Sequence, residues 1–296
     1  MNDDNLILSH YLVPQDNKRK KRYLIVNLIT LPIFVILYSA WQFLFLIPIK
    51  NILPTLTVVI NHTTYNLGHF IGWLLFFGLV IALFGYLVKV ITKTYRVYDT
   101  IYLRLASNKI TITMMFIIAY FVINYSSSKL ALPFNKPASI FLTVFEAVIA
   151  GICEEFLFRG QSFNIGLVIF NNAKYQIVYA SIFSCVIFGL AHSLNLLHQP
   201  YYYTLMQIVN AAAFGFTFLF AYLLTNKLYF PILLHIWSDI IPEPTGKAMA
   251  KITLPESLTA MVPALIIILI SIILLISYNR DYLHRKMLNT PYYMPD

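Results

Sequence analysis

Charge is what this chain has least of. Only 11% of its 296 residues are charged, less than half of the roughly 25% usual for a soluble domain. That shortfall excludes an ordinary water-soluble globular protein. Cysteine is almost missing: Cys153 and Cys185 are the only two, both in apolar segments, with no CxxC. Nothing suggests a disulfide framework, and a thiolate metal or redox site is not expected. H-E-x-x-H is absent, so the usual helix-borne zinc signature is missing. No repeat, low-complexity tract or soluble domain interrupts the chain. The N-terminus also lacks a short apolar region followed by a small-residue cleavage site. Its first apolar run, about 26 residues, is too long for a cleaved signal peptide and is expected to stay as an anchor.

What is present in excess is apolar surface. The chain is 59% hydrophobic with a mean hydropathy of +0.72. This is the composition of an integral membrane protein, and its 23 Phe and 21 Tyr suit many interfacial rings. Eight apolar stretches have a length near the ~20 residues of a membrane helix. They fall at about 23–49, 67–91, 110–126, 139–165, 175–194, 204–224, 228–241 and 255–278. The fourth could run on to Asn171, and the seventh is short. The expected fold is all-α and polytopic, with about eight transmembrane helices. A basic N-terminus (1–22) precedes a single membrane domain (23–278) and a tail (279–296).

The net charge of +9 does not point to nucleic acid, because the cations cluster at segment ends. There they set topology and meet anionic lipid of the bilayer. Lys18-Arg19-Lys20-Lys21-Arg22 anchors the first span inside, Lys89 to Lys109 put the second connection inside, and Arg280, Arg285 and Lys286 do the same for the C-terminus. Both termini are therefore expected in the cytoplasm. Lys129, Lys136, Lys247 and Lys251 fall on the outer side. The stretch from Lys93 to Arg104 is expected to lie in the interface. Tyr201-Tyr202-Tyr203 reads as an aromatic belt.

Ionisable residues nonetheless enter the apolar segments of the second half. Glu146, Glu154, Glu155 and Asp239 are four of the twelve acids, and His192 and His235 are two of the seven histidines. Charge in lipid is costly, so such groups face the protein interior and signal function. Glu154 and Glu155 lie in Ala150-Gly151-Ile152-Cys153-Glu154-Glu155-Phe156-Leu157-Phe158-Arg159, with the arginine four and five residues on. On a regular helix Glu155 points about 100° away from Glu154. Phe188 and His192 are four apart and share a face, with Asn195 three residues on. His235 and Asp239 are also four apart, and Pro231 is expected to loosen their helix. The plain alternative is a buried ion pair stapling two helices. Glu146, eight residues before Glu154, roughly shares its face. Counting rise per residue puts Glu154 and His192 level, roughly 27–30 Å from the turn at 171–174. His235 joins them if that turn protrudes into the cytoplasm.

The order E-E-x-x-x-R (Glu154 to Arg159), F-x-x-x-H (Phe188 to His192) and H-x-x-x-D (His235 to Asp239) resembles the CPBP family. These are the CAAX-protease and bacteriocin-processing intramembrane proteases, also called Abi. The resemblance covers about residues 139–241. It implies an eight-helix membrane endopeptidase in which Glu154 and His192 activate water, Arg159 steadies the glutamates, and His235 and Asp239 serve the oxyanion or a metal. Glu155 is then a supporting partner. The last motif position is often Asn. Here Asp239, if ionised, can only accept hydrogen bonds, so it would be protonated, orient His235 or favour a cation. A zinc reading uses Glu154, His192 and His235 with an open water position. The cofactor expectation is thus none or one divalent cation.

The substrate implied is a peptide or membrane protein. The Ile-, Asn- and Lys-leaning composition suggests an AT-rich bacterial genome and hence the bacterial cytoplasmic membrane. That favours peptide processing or bacteriocin self-immunity over cleavage of a prenylated CAAX tail. The other classes are a proton-coupled transporter, since carboxylates and histidines also build proton relays, and a non-enzymatic membrane scaffold or immunity protein.

Overall fold

In lipid every backbone N–H and C=O must find a partner within the protein, and a helix supplies that from its own segment. The long apolar runs accordingly become helices. The structure, a computed structural model, describes residues 18, 21, 22, 24–29, 32, 33, 36, 57–60, 63–66, 108–128, 137–170, 173–197, 199–225, 227–240 and 246–287. Residues 24–29 are helical. One hairpin follows, β1 (Thr57–Ile60) and β2 (Thr63–Asn66), antiparallel with Thr57 opposite Asn66. Its Thr- and Val-rich strands suit pleated structure, and it is an addition to the all-α expectation. All other described elements are helical: α1 (Asn108–Ser128), α2 (Pro137–Glu155), a π-helical segment (Phe156–Ser162), α3 (Phe163–Ile169), α4 (Gln176–Ala191), a 3₁₀ helix (His192–Leu197), α5 (Tyr201–Thr225), α6 (Tyr229–Asp239), α7 (Gly246–Ala250) and α8 (Leu254–Met287).

Four of the described stretches are long and apolar enough to cross a membrane: Asn108–Ser126, Gln176–Leu197, Tyr201–Thr225 and Leu254–Arg280. The fourth apolar segment does run past 165, through the π-helical segment into α3. The seventh is too short, in its described helix, to span on its own. Helix α6 has 11 residues, about 16 Å, against an apolar core of about 30 Å. Pro231 sits in its first turn, where the missing N–H has no intrahelical partner to lose, so it does not loosen the helix. The stretch 23–49 lies largely outside the described residues, and 67–91 and the segment from Lys93 to Arg104 lie wholly outside them. Outer faces are apolar: Phe116 and Ile123 on α1 are 70% and 71% exposed, and Leu269 on α8 is 61% exposed. In lipid these are satisfied surfaces, not liabilities.

Helix α5 is the packing centre, touching α1, α4, α6 and α8. Its residues from Gly215 to Leu223 are all buried. Small residues set the approach of neighbours, as expected where packing rather than water drives association. A Cβ at Gly189 would lie 2.7 Å from the Ile208 carbonyl and 3.0 Å from Ala212 Cβ. Helix α8 is hooked on by polar contacts. Asn279 Nδ2 donates to the Lys174 carbonyl at 2.9 Å, and its Oδ1 accepts from the Ile177 N–H at 3.3 Å. The second bond satisfies a donor that the start of α4 leaves open.

Gly189→Ala therefore forces α4 and α5 apart, because the atom met is backbone. The expected cost is about 1–3 kcal/mol, read as a lower thermal midpoint in detergent. An unchanged midpoint would remove this crossing as a constraint.

Candidate active site

The site grows from a change of helical pitch. Helix α2 ends at Glu155 and the next seven residues are π-helical, closing with the Phe163 N–H on the Phe158 carbonyl. Such insertions are rare and recur at functional sites. The Phe158 carbonyl also accepts from Ser184 Oγ at 2.7 Å, which ties the segment to α4. Residues Leu157 to Ser162 are all buried, including Arg159 and Gln161. Gln161 donates to Oδ1 of the fully buried Asn27 at 2.7 Å.

Glu155 and Arg159 are both completely buried, and Arg159 Nη1 donates to Glu155 Oε1 at 2.8 Å. Arg159 Nη2 donates to the Gly215 carbonyl at 3.1 Å. Gly215 is needed there: a Cβ would sit 3.3 Å from Nη2 and 3.2 Å from Cys185 Cβ. The guanidinium also lies over the Phe188 ring at 4.5 Å and the Phe218 ring at 5.2 Å. Desolvated contacts of this kind are worth about 2 kcal/mol.

Glu155 Oε1 takes a second hydrogen bond, from His235 Nδ1 at 2.8 Å. The His235 ring stacks on Phe218, with centroids 4.9 Å apart and planes 21° apart. This orientation leaves Nε2 3.4 Å from Asp239 Oδ2 and 3.7 Å from Glu154 Oε2. The side chain of Glu154 keeps 12% exposure and that of Asp239 38%. Asp239 Oδ1 accepts from Ser238 Oγ at 3.0 Å. Asp239 thus stands beside His235.

His192 closes α4 and opens the 3₁₀ helix. Its Nδ1 lies 3.0 Å from the Phe188 carbonyl. A carbonyl only accepts, so Nδ1 carries the hydrogen and Nε2 is left with a lone pair in the neutral ring. Phe188 touches both imidazoles, at 5.2 Å from His192 and 5.7 Å from His235 between centroids. Asn195 donates to Gln207 Oε1 at 2.8 Å.

Glu154, Glu155, Arg159, Phe188, His235 and Asp239 thus meet, and His192 joins them through its contact with Phe188. One sequence expectation is corrected. Of the two glutamates Arg159 bonds Glu155 alone, because side chains four apart share a face. Glu146 is exposed. Gly215, Phe218, Asn27, Ser238 and Gln207 escaped the sequence reading, since each is an ordinary residue type in an apolar or polar run. His62, His69 and His198 lie outside the described residues.

Among the described residues, no three His, Cys, Asp or Glu side chains group as metal ligands. His235 has given Nδ1 to Glu155, and His192 pairs with no described carboxylate. Among the described residues Glu154, His192 and His235 do not group as one ligand set.

Residues 136–241 match the family model described as Rce1-like, type II CAAX prenyl endopeptidase. Nothing among curated proteins or solved structures matches the chain.

Removing Arg159 strands a buried carboxylate. Arg159→Ala is expected to destabilise the fold by about 3–5 kcal/mol, seen as lost accumulation or a lowered unfolding midpoint. The double change Arg159→Met with Glu155→Gln is expected to recover part of it. Equal loss in both would mean that the charge pairing is not what matters.

Proposed function

We propose, from a core that belongs to the CPBP family, that this multi-pass membrane protein is an endopeptidase using water activated by Glu154 and His192. The observation that carries the reading is the division of labour within the glutamate pair. Glu155 is sealed and holds Arg159 and His235, whereas Glu154 retains exposure and faces His235 Nε2. Peptide hydrolysis needs a base for water, a donor for the oxyanion and a proton for the leaving amine. Glu154 takes the proton of the attacking water, with His192 Nε2 as the second acceptor. When both nitrogens of His235 are protonated, Nε2–H is the donor for the carbonyl oxygen as it becomes an oxyanion. Glu155 and Phe218 hold that ring, and Asp239 orients it. The collapsing intermediate then receives its proton at the amine from Glu154 or His192.

The substrate on this reading is a peptide or membrane protein reached from within the bilayer. Peptide processing or bacteriocin self-immunity in a bacterial membrane fits the composition. A prenylated CAAX tail is the second reading, favoured by the description of the matching family model. One peptide assayed with and without a thioether isoprenoid separates them. A rate gain of tenfold or more from the lipid selects the second.

Glu154→Gln and His192→Ala are each expected to lower cleavage by about 10²–10⁴-fold with an unchanged unfolding midpoint. A scaffold predicts a phenotype that survives both changes, whereas a proton-coupled transporter predicts lost transport with no peptide cleaved even by the wild type. On the metal-free course, cleavage persists through exhaustive chelation. Activity lost to the chelator and restored by zinc would instead assign Glu154, His192 and His235 as ligands.

A further inference from the structure

The 3₁₀ helix after α4 puts a polar pair beside His192. Three residues make one 3₁₀ turn, so positions i and i+3 eclipse. Asn195 therefore lies on the face of His192 within His192–Leu197, about 6 Å along the axis. Its Nδ2 donates to Gln207 Oε1 at 2.8 Å, and both residues are half-buried. The pairing consumes one donor and one acceptor. It leaves Asn195 Oδ1 free to accept and Gln207 Nε2 free to donate, with no other partner for either among the described residues. One turn on, the Gln199 N–H bonds the Asn195 carbonyl, and Gln199 Oε1 is buried without a partner. In a membrane chain, a cluster of amides with unspent capacity is costly unless something polar arrives to meet it.

An extended peptide presents that complement, with one N–H and one C=O per residue and about 3.3 Å of rise. We propose that the Asn195–Gln207 pair is a main-chain subsite: it binds the backbone N–H and C=O of an extended substrate about two residues from the scissile bond. The inference rests on the peptidase reading above and adds to it. Recognition here reads the backbone, so it is tolerant of side-chain identity at that position. The Gly189 crossing, which brings Ile208 against α4, keeps neighbouring Gln207 at the depth of the 3₁₀ turn.

The test uses the full-length protein in detergent and a peptide that it cleaves, selected from a mixed library. The peptide is resynthesised with each backbone amide N-methylated in turn. Wild type is expected to lose about fivefold to tenfold in kcat/KM at one amide about two residues from the cut, beyond the loss at the scissile bond itself. Asn195→Ala and Gln207→Met are each expected to raise KM for the parent peptide by a similar factor with kcat nearly unchanged. Asn195→Ala, which loses the acceptor for that N–H, should be indifferent to the methyl group. An equal methyl penalty in wild type and Asn195→Ala overturns the subsite, as does a wild-type scan that is flat away from the cut. The wild-type scan decides even where a variant does not fold. A wild type that cleaves nothing in the library sinks the peptidase reading, and the subsite with it.

Discussion

The carboxylate of Glu155 is the constraint around which the site is arranged. Its side chain is wholly buried, and a lone charge there would cost several kcal/mol. One oxygen, Oε1, is met by Arg159 Nη1 and His235 Nδ1, each at 2.8 Å. Arg159 extends the link to α5 through the Gly215 carbonyl. The π-helical segment, α5 and α6 are therefore held by one shared ion-pair network rather than by apolar contact alone. In lipid, where greasy surface gives helices little reason to associate, such polar contacts and small residues carry a larger share of specificity.

The same network separates two chemically identical neighbours. Adjacent helix positions diverge by about 100°, so Glu155 turns into the protein while Glu154 turns toward the space near Nε2 of His235. Glu155 Oε1 is committed to Arg159 and His235, whereas Glu154 keeps partial exposure. The aromatic rings serve the arrangement as platforms. Phe218 lies under His235 and beside Arg159, and Phe188 contacts Arg159 and both imidazoles. Gly215 and Cys185 are small where they must be, since the guanidinium passes between their helices.

Much of the site was legible from spacing. Glu155 to Arg159 and His235 to Asp239 are i,i+4 pairs, and both meet as that spacing requires. The helical segments from 108 onward also follow the apolar runs. What escaped has physical causes. The π-helical turn carries no composition signal, because its residues would be equally at home in an α-helix. Helix α6 has the hydropathy of a span and lacks the length. The hairpin at 57–66 is too short to leave a clear period. Asn27 lies in an early apolar run that looked generic, and its partner Gln161 is 134 positions away.

By itself the sequence determined the membrane class, the helical elements of the second half, and the order in which the acids and histidines occur. Those depend on composition and on periodicity within a single segment. Tertiary structure alone decided which glutamate is sealed, which imidazole it holds, and which ring carries His235. The contacts responsible join residues 56 and 80 positions apart, Arg159 with Gly215 and Glu155 with His235. No local period encodes them, because they exist only once α6 has packed against α2 and α5.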